Sequence, residues 1–341
     1  MRFGSITQLN TEAAQAAVQG TVLVQVSEKN LRTTKNGKPY LDIVLADVAG
    51  TVSFKVWDNA PWFPTFDGCG VGDAVAITAR WMQGQYGMEV SEVELRPLSP
   101  EEEQQVLTGG PELLEFQQRE WNCILSYAEQ LRDPRLRSLC LLFLQQQEKR
   151  FRRAAAARGY HHARRGGLVE HTASVMRVAD AIAAPYAGRV NRDLLLAGAL
   201  FHDAGKIVEN DYREHSLEMP YSDAGELLGH IPLGIEMVNK AWREMMADAP
   251  AEWKQLNPPS EQVRLHLLHL VAAHHGSLEY GSPVLPKVPE ALLLHHADNI
   301  DAKMEMFRAA YESAPALSEH VLQRKAPLPA NVLHRLPDVE E

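Results

Sequence analysis

Five short segments in the second half of the chain each set a histidine or an aspartate into an apolar helical pattern. They are Leu168-Val-Glu-His171, Leu200-Phe-His202-Asp203-Ala-Gly-Lys206, Leu228-Gly-His230-Ile231, Ala273-His274-His275-Gly276 and Ala297-Asp298-Asn-Ile-Asp301. A polar or charged group buried without a partner costs several kcal/mol. Five elements carrying that cost make sense if their polar ends converge on cations. Neutral imidazole nitrogen and carboxylate oxygen suit Mn, Fe, Co, Ni or Zn. A ligand set without cysteine favours a catalytic site over a structural zinc.

A second chemical signal lies just ahead of the first histidine. Between positions 147 and 165, Lys149, Arg150, Arg152, Arg153, Arg158, Arg164 and Arg165 stand against Glu148 alone. Such a run is either a solvated helix face or an anion-binding rim. Arg164 and Arg165, next to Gly166-Gly167, are the candidates for phosphate contact. His161 and His162 precede the helix and read as phosphate-facing or structural. His295 and His296 read as core or as partners of a ligand, and Asp301 as a capping or supporting group. His215, His266, His269, His320 and His334 read as ordinary core or surface histidines.

All 14 histidines lie between His161 and His334, whereas three of the six tryptophans fall in the first 81 residues. That asymmetry divides the labour. From about 18 to 97 the chain alternates as five short strands starting at Thr21, Tyr40, Thr51, Ala74 and Gly87, with turn signals such as Lys35-Asn-Gly-Lys-Pro between them. This order predicts a small Greek-key barrel like an OB-fold. Ser99-Pro-Glu-Glu102 is a capping box that starts a short helix ending at Gly109-Gly110-Pro111. Helical periodicity then predicts helices over roughly 112–131, 134–155, 168–184, 192–204, 225–247, 260–275 and 288–311. The expected architecture is therefore multidomain, β then all-α. A five-stranded OB-fold domain spans 1–98, a linker helix 99–111, a helical domain 112–325 and an extended tail 326–341.

In the barrel, Lys29, Arg32, Lys35 and Lys38 lie along the first connection. Tyr40, Phe54 and Trp57 fall on strands, with Trp62, Phe63, Trp81 and Tyr86 near loops. Aromatic side chains interleaved with cations are what an OB-fold uses to stack single-stranded bases and follow phosphates. Arg32, Lys35, Lys38, Tyr40, Phe54 and Trp57 are the nucleic-acid candidates. The alternation leaves open whether Phe54 or Lys55 points outward, and about half of these aromatics are needed to fill the barrel.

The net charge of −10 excludes a protein that coats nucleic acid over its whole surface, but not a local basic groove. The chain shows no apolar run of membrane-spanning length and no secretory leader. Cys69, Cys123 and Cys140 are an odd number without C-x-x-C spacing, so no disulfide framework is expected. A cytoplasmic protein with no membrane partner is the expectation, with a homo-oligomer left open.

The order His171, His202-Asp203, Asp298 resembles the HD phosphohydrolase superfamily, and Asp203-Ala-Gly-Lys206 resembles its HD-x-G-K continuation. The run from His161 to His171, the Leu-Leu-Gly-His-Ile segment and His-His-Gly-Ser-Leu-Glu-Tyr-Gly-Ser-Pro, behind an OB-fold, resemble the YhaM family of bacterial 3′-to-5′ exoribonucleases. The resemblance runs from about 18 to 330. It implies a metal-dependent exoribonuclease acting on single-stranded RNA, or also on single-stranded DNA, and releasing nucleoside 5′-monophosphates. It implies a divalent cofactor, two ions, with manganese first and iron, cobalt, nickel or magnesium as alternatives. His171, His202, Asp203 and Asp298 would hold the first ion and Asp203 would bridge to a second. His230 and one of His274 and His275 would complete the second site. His274 is favoured as the ligand, and His275 is left for substrate or proton transfer. Lys206 would stabilise charge at the scissile phosphate, making Asp203, Lys206 and His275 the catalytic candidates. The competing readings are an HD-type nucleotidase or cyclic-dinucleotide phosphodiesterase with a regulatory barrel, and a single-strand binding protein without activity.

Overall fold

The computed structural model describes residues 1–85, 87–157 and 164–337; Tyr86, Arg158, His161 and His162 lie outside the described residues. The chain forms two compact units. One comprises Met1–Gln118 and Asp211–Pro220, the other Arg119–Asn210 and Tyr221–Glu341.

The first unit is built on β1 (Val18–Thr33), β2 (Pro39–Asp47), β3 (Gly50–Trp57), β4 (Ala74–Gly84) and β5 (Gly87–Pro97). They close into a barrel in the order β1-β2-β3-β5-β4, which is the OB-fold arrangement. Closure depends on the length of β1: its first half pairs with β4 and its second half with β2, with a bulge between Val26 and Glu28. The core follows the two-residue period of each strand. Val22, Val24 and Val26, then Leu41, Ile43 and Leu45, then Val52, Phe54 and Val56, then Val75, Ile77, Ala79 and Trp81 point inward. Two short helices cover this core. α1 (Ile6–Gln15), which no sequence pattern anticipated, contributes Ile6, Leu9 and Ala13; α2 (Phe63–Gly68) contributes Phe66.

Phe54 is thus a correction. It is only 3% exposed and sits edge-on to Phe66 and Trp81, so it fills the barrel and is not available to stack a base. Trp81 is likewise core, its Nε1 donating to the Gly20 carbonyl at 3.1 Å.

The capping box at Ser99 forms as expected and starts α3 (Pro100–Thr108). α3 packs along β1 and β4, because Val106 is needed over Leu23 and Ala76. The first unit also takes in Asp211–Pro220, whose Leu217 joins that small apolar cluster. The buried Gln25 side chain holds the segment. Its Nε2 donates to the carbonyls of His215 at 2.8 Å and Gly72 at 2.9 Å, and its Oε1 accepts from the Leu217 amide at 2.8 Å.

The second unit is helical. α4 (Pro111–Glu129) carries the boundary at Gln118, and α5 (Pro134–Phe151) is capped by Asp133. α6 (Gly167–Ala183) and α7 (Arg192–Phe201) are followed by a single turn, α8 (Lys206–Glu209). The helix expected over 225–247 is broken at Gly229, whose φ of +71° divides it into α9 (Asp223–Leu228) and α10 (His230–Ala247). α11 (Ser260–Ala273) and α12 (Pro289–Ser313) complete the set, with α6 packed against α7 and α12. The expected extended tail is partly ordered: β6 (Val321–Leu322) pairs with β7 (Val332–Leu333), and Leu322, Leu328 and Val332 bury themselves with Ala310. Their apolar side chains have no reason to stay in water when α12 offers a surface. Among the described residues no helix is long and apolar enough to cross a membrane.

Candidate functional site

Helix ends, more than helix middles, carry the site. His171 lies one turn into α6, His202 caps the C-terminus of α7 and His274 that of α11, and His230 opens α10 directly after the Gly229 break. Asp298 and Asp301 lie one turn apart on α12. His171, His202, Asp203 and His274 are all buried.

The imidazoles share one orientation. Each Nδ1 has an acceptor: the His171 ring meets Asp301 Oδ2 at 2.6 Å, His202 the Ala199 carbonyl at 2.7 Å, and His274 the Val271 carbonyl at 2.7 Å. His275 donates to the Tyr280 carbonyl at 2.7 Å, and His230 meets Glu209 Oε1 at 3.2 Å. With Nδ1 committed as donor, each Nε2 is free to act as a lone-pair ligand once it carries no proton, as at histidine metal sites generally.

Asp203 stands between two groups of these nitrogens. Its Oδ2 lies 3.6 Å from His171 Nε2 and 3.7 Å from His202 Nε2. Its Oδ1 lies 3.3 Å from His230 Nε2 and 3.8 Å from His274 Nε2. Asp298 Oδ1 closes the first group, 3.3 Å from His171 Nε2 and 4.0 Å from His202 Nε2. Two trios that could hold a metal ion result, His171-His202-Asp203 and His230-His274-His275.

These residues fit divalent cations on their own geometry. The Nε2 atoms of His230 and His274 are buried and make no hydrogen bond. The Nε2 atoms of His171 and His202 face each other at 3.1 Å, so a single positive centre between them, a proton or a cation, is shared by both rings. Burial drives the pKa of His202 down and that of His274 well down, so both rings are neutral at pH 7, the form that can bind a cation. Burial would raise Asp203, but Lys206 and the surrounding imidazoles outweigh it and hold the carboxylate ionised.

His171 behaves differently. Burial alone would lower its pKa, but the hydrogen bonds and charges of Asp298 and Asp301 outweigh that and push it up to about 10. On its own residues the cluster therefore keeps a proton on His171 at neutral pH, and a cation must displace it. Raising the pH towards 10 removes that competitor, so Mn²⁺ affinity is expected to climb towards tenfold per pH unit between 6 and 9. Calorimetric titrations in buffers of different ionisation enthalpy would show about one proton released per first ion; pH-independent binding with no proton release would refute this.

Supporting groups are as telling as the ligands. Glu209, 7% exposed, accepts from the His230 backbone amide at 2.9 Å as well as facing its ring, and Lys206 Nζ lies 3.8 Å from its other oxygen. Sequence reasoning passed over Glu209 because an acid in a short turn looks solvated. Its spacing of three from Lys206 and its place between two metal segments were the available signals.

The basic rim divides. Arg164 is held by Glu170, Nε to Oε1 at 3.1 Å and Nη2 to Oε2 at 2.7 Å, so its charge is already answered by a buried carboxylate. Arg165 is half-buried.

On the barrel, Tyr40 and Trp57 are cross-strand partners with ring centroids 5.2 Å apart, and Lys55 Nζ lies 5.4 Å from the Tyr40 ring. Arg32 is paired with Tyr40 in register and lies 3.2 Å from Asp42. Lys35 and Lys38 are exposed on the hairpin between β1 and β2. Lys29 is not available, because it donates to the carbonyls of Asp67 and Cys69.

Comparison with known proteins follows the same division. Residues 168–303 match the HD domain family model. The chain is 32% identical over 299 residues to the 3′-5′ exoribonuclease YhaM of Bacillus subtilis (strain 168), covering 85% of this chain and 86% of that protein. The protein of the same name from Bacillus velezensis is 31% identical over 293 residues, with the same coverage. Among solved structures, the second OB-fold domain of replication protein A from Methanococcus maripaludis matches at 21% identity, covering 29% of this chain and 98% of that one. Its TM-score is 0.21, and the barrel assignment rests on the strand order described above.

Proposed function

The chain belongs to the YhaM family of 3′-5′ exoribonucleases, and from that premise we propose that it shortens single-stranded RNA one nucleotide at a time from the 3′ end, releasing nucleoside 5′-monophosphates. The observation that carries this reading is Asp203, whose two oxygens face two separate groups of ring nitrogens. A divalent cation bound there supplies Lewis-acid activation of water and neutralises charge on the phosphate. His171, His202, Asp298 and Oδ2 of Asp203 would hold one ion. His230, His274 and Oδ1 of Asp203 would hold a second, with manganese the first choice for both.

The remaining residues act on substrate. Lys206 stands next to this centre and offsets charge developing on the phosphate. His275 is kept neutral by burial, and its Nε2 remains an acceptor because Nδ1 is committed to Tyr280. It can therefore take a proton from water or complete the second ligand set. Arg165 supplies positive charge ahead of α6, with Arg164 steadied by Glu170.

The barrel face of Arg32, Lys35, Lys38, Tyr40 and Trp57 holds the strand by stacking and charge. Trp57 is 43% exposed beside Tyr40. Trp57→Ala is expected to weaken single-stranded RNA binding by about 1–3 kcal/mol, the usual worth of one stacked base. Fluorescence anisotropy on the Asp203→Ala background, which separates binding from turnover, would measure it; unchanged affinity would exclude this face.

The direct test is a time course with Mn²⁺ on 5′-end-labelled single-stranded RNA and its DNA counterpart. A ladder descending from the 3′ end supports the reading, and the relative rates fix RNA against DNA. An untouched oligonucleotide would refute it and point to small nucleotides.

A further inference from the structure

The loop that follows the paired histidines combines a tightly fastened backbone with two large side chains left in water. Gly276, at φ +76°, turns the chain where a Cβ would strike the His295 ring, and the His295 ring meets the His274 carbonyl at 3.0 Å. Ser277 caps the following turn over Leu278–Tyr280, and the Tyr280 and Ser282 amides return to the Ser277 carbonyl at 3.1 and 3.2 Å. Ser282 is buried, its hydroxyl 3.0 Å from both the Ala272 and Val284 carbonyls. The Tyr280 carbonyl accepts from His275. Yet Leu278 is 61% exposed and Tyr280 is 70% exposed.

Nothing in the folding of this unit calls for a tyrosine there, since its fixed part is the carbonyl and any residue supplies one. What the ring gains from this loop is position. The His275 ring that its carbonyl holds lies 4.4 Å from the His274 ring and 5.1 Å from the His230 ring, centroid to centroid. An exposed aromatic side chain is thereby carried on backbone that is fastened to His275, a member of the second trio. Stacking on such a ring is the sequence-tolerant way to seat a nucleobase, because every base offers a π face. A nuclease that trims any sequence from one end needs that tolerance at the terminal nucleotide.

We propose that Tyr280 is a base-stacking platform for the nucleotide at the 3′ terminus, placing its phosphodiester over the metal-binding residues. The proposal rests on the nuclease reading above and adds the subsite that seats the end. Tyr280→Ala keeps the carbonyl on His275 and removes only the ring; Tyr280→Phe keeps the ring and removes only the hydroxyl.

The experiment compares two single-stranded RNAs, one with an ordinary 3′-terminal nucleotide and one whose terminal sugar lacks a base, under single-turnover conditions with Mn²⁺. Wild type should remove the ordinary terminus about 10- to 100-fold more efficiently than the abasic one, in keeping with the worth of one stack. Tyr280→Ala should lose that preference by slowing only on the ordinary end, Tyr280→Phe should retain it, and Mn²⁺ affinity measured by calorimetry should be the same in all three. If wild type removes both ends equally, or if Tyr280→Ala slows both equally, the ring does not seat a base and the proposal is overturned while the nuclease reading stands. A wild type that leaves both RNAs intact overturns the two together.

Discussion

Asp203→Ala is expected to reduce RNA shortening about a thousandfold or more, equivalent to roughly 4 kcal/mol of lost transition-state stabilisation. Its two carboxylate oxygens face different groups: Oδ2 approaches His171 and His202, and Oδ1 approaches His230 and His274. Removing it breaks the first trio, unlinks it from the second and takes a negative charge from among four imidazoles. Mn²⁺ uptake, counted by elemental analysis after dialysis, should fall together with activity. Binding of single-stranded RNA through the barrel should persist, since the stacking face proposed above lies on β2 and β3. A variant that loses activity with its full metal content would show that Asp203 acts on substrate alone. One that keeps activity would remove the ligand assignment altogether. Circular dichroism distinguishes either result from simple unfolding.

Gly205→Ala is expected to be nearly as damaging, although Gly205 carries no chemistry. Its backbone is ordinary helical, φ −64°, so conformational freedom is not why a glycine stands there. The reason is contact: a Cβ at this position would lie 1.9 Å from the His230 carbonyl oxygen and 2.7 Å from the Gly234 amide nitrogen. Neither neighbour is a flexible side chain end, so the first turn of α10 would have to move as a body. The cost should be about 1–3 kcal/mol of stability, as for other overpacked cores. Because α10 carries His230 but not His171, His202 or Asp298, the second ligand trio should suffer first. Thermal unfolding and Mn²⁺ stoichiometry measured together would check this. A wild-type Tm with undiminished metal content would contradict the close packing.

Much of this centre was legible because each candidate ligand sits in an apolar stretch, where a polar residue needs a reason. His171, His202-Asp203, His230, His274-His275 and Asp298 stand out in that way, and the structure brings all of them together. Phe54 was legible too, had parity been followed through. It shares its strand face with Val52 and Val56, whereas Lys55 and Trp57 share the other, and a small barrel puts the apolar face inward. Glu209 and Asp301 were harder. Their value lies in the rings they hold, and holding a ring from 21 or 130 residues away leaves no local pattern. The break at Gly229 was hidden because apolar periodicity continues on both sides of it, and only the positive φ reveals that His230 begins a new helix. The helix α1 was missed for a related reason: a short amphipathic stretch is decided by the barrel end it covers.

The membership of Asp211–Pro220 in the barrel unit has a consequence for how the protein is made. During synthesis the first part of that unit is finished at Gln118, but its last ten residues begin at Asp211. At ordinary elongation rates of about 5–20 residues per second, the ribosome needs roughly 5–20 s to supply the rest. Until then the Gln25 amide lacks the His215 carbonyl and the Leu217 amide, and the patch of Leu23, Ala76 and Val106 lacks Leu217. The nascent barrel therefore waits, with one apolar patch uncovered, for a segment encoded between the second and third candidate metal motifs of its neighbour.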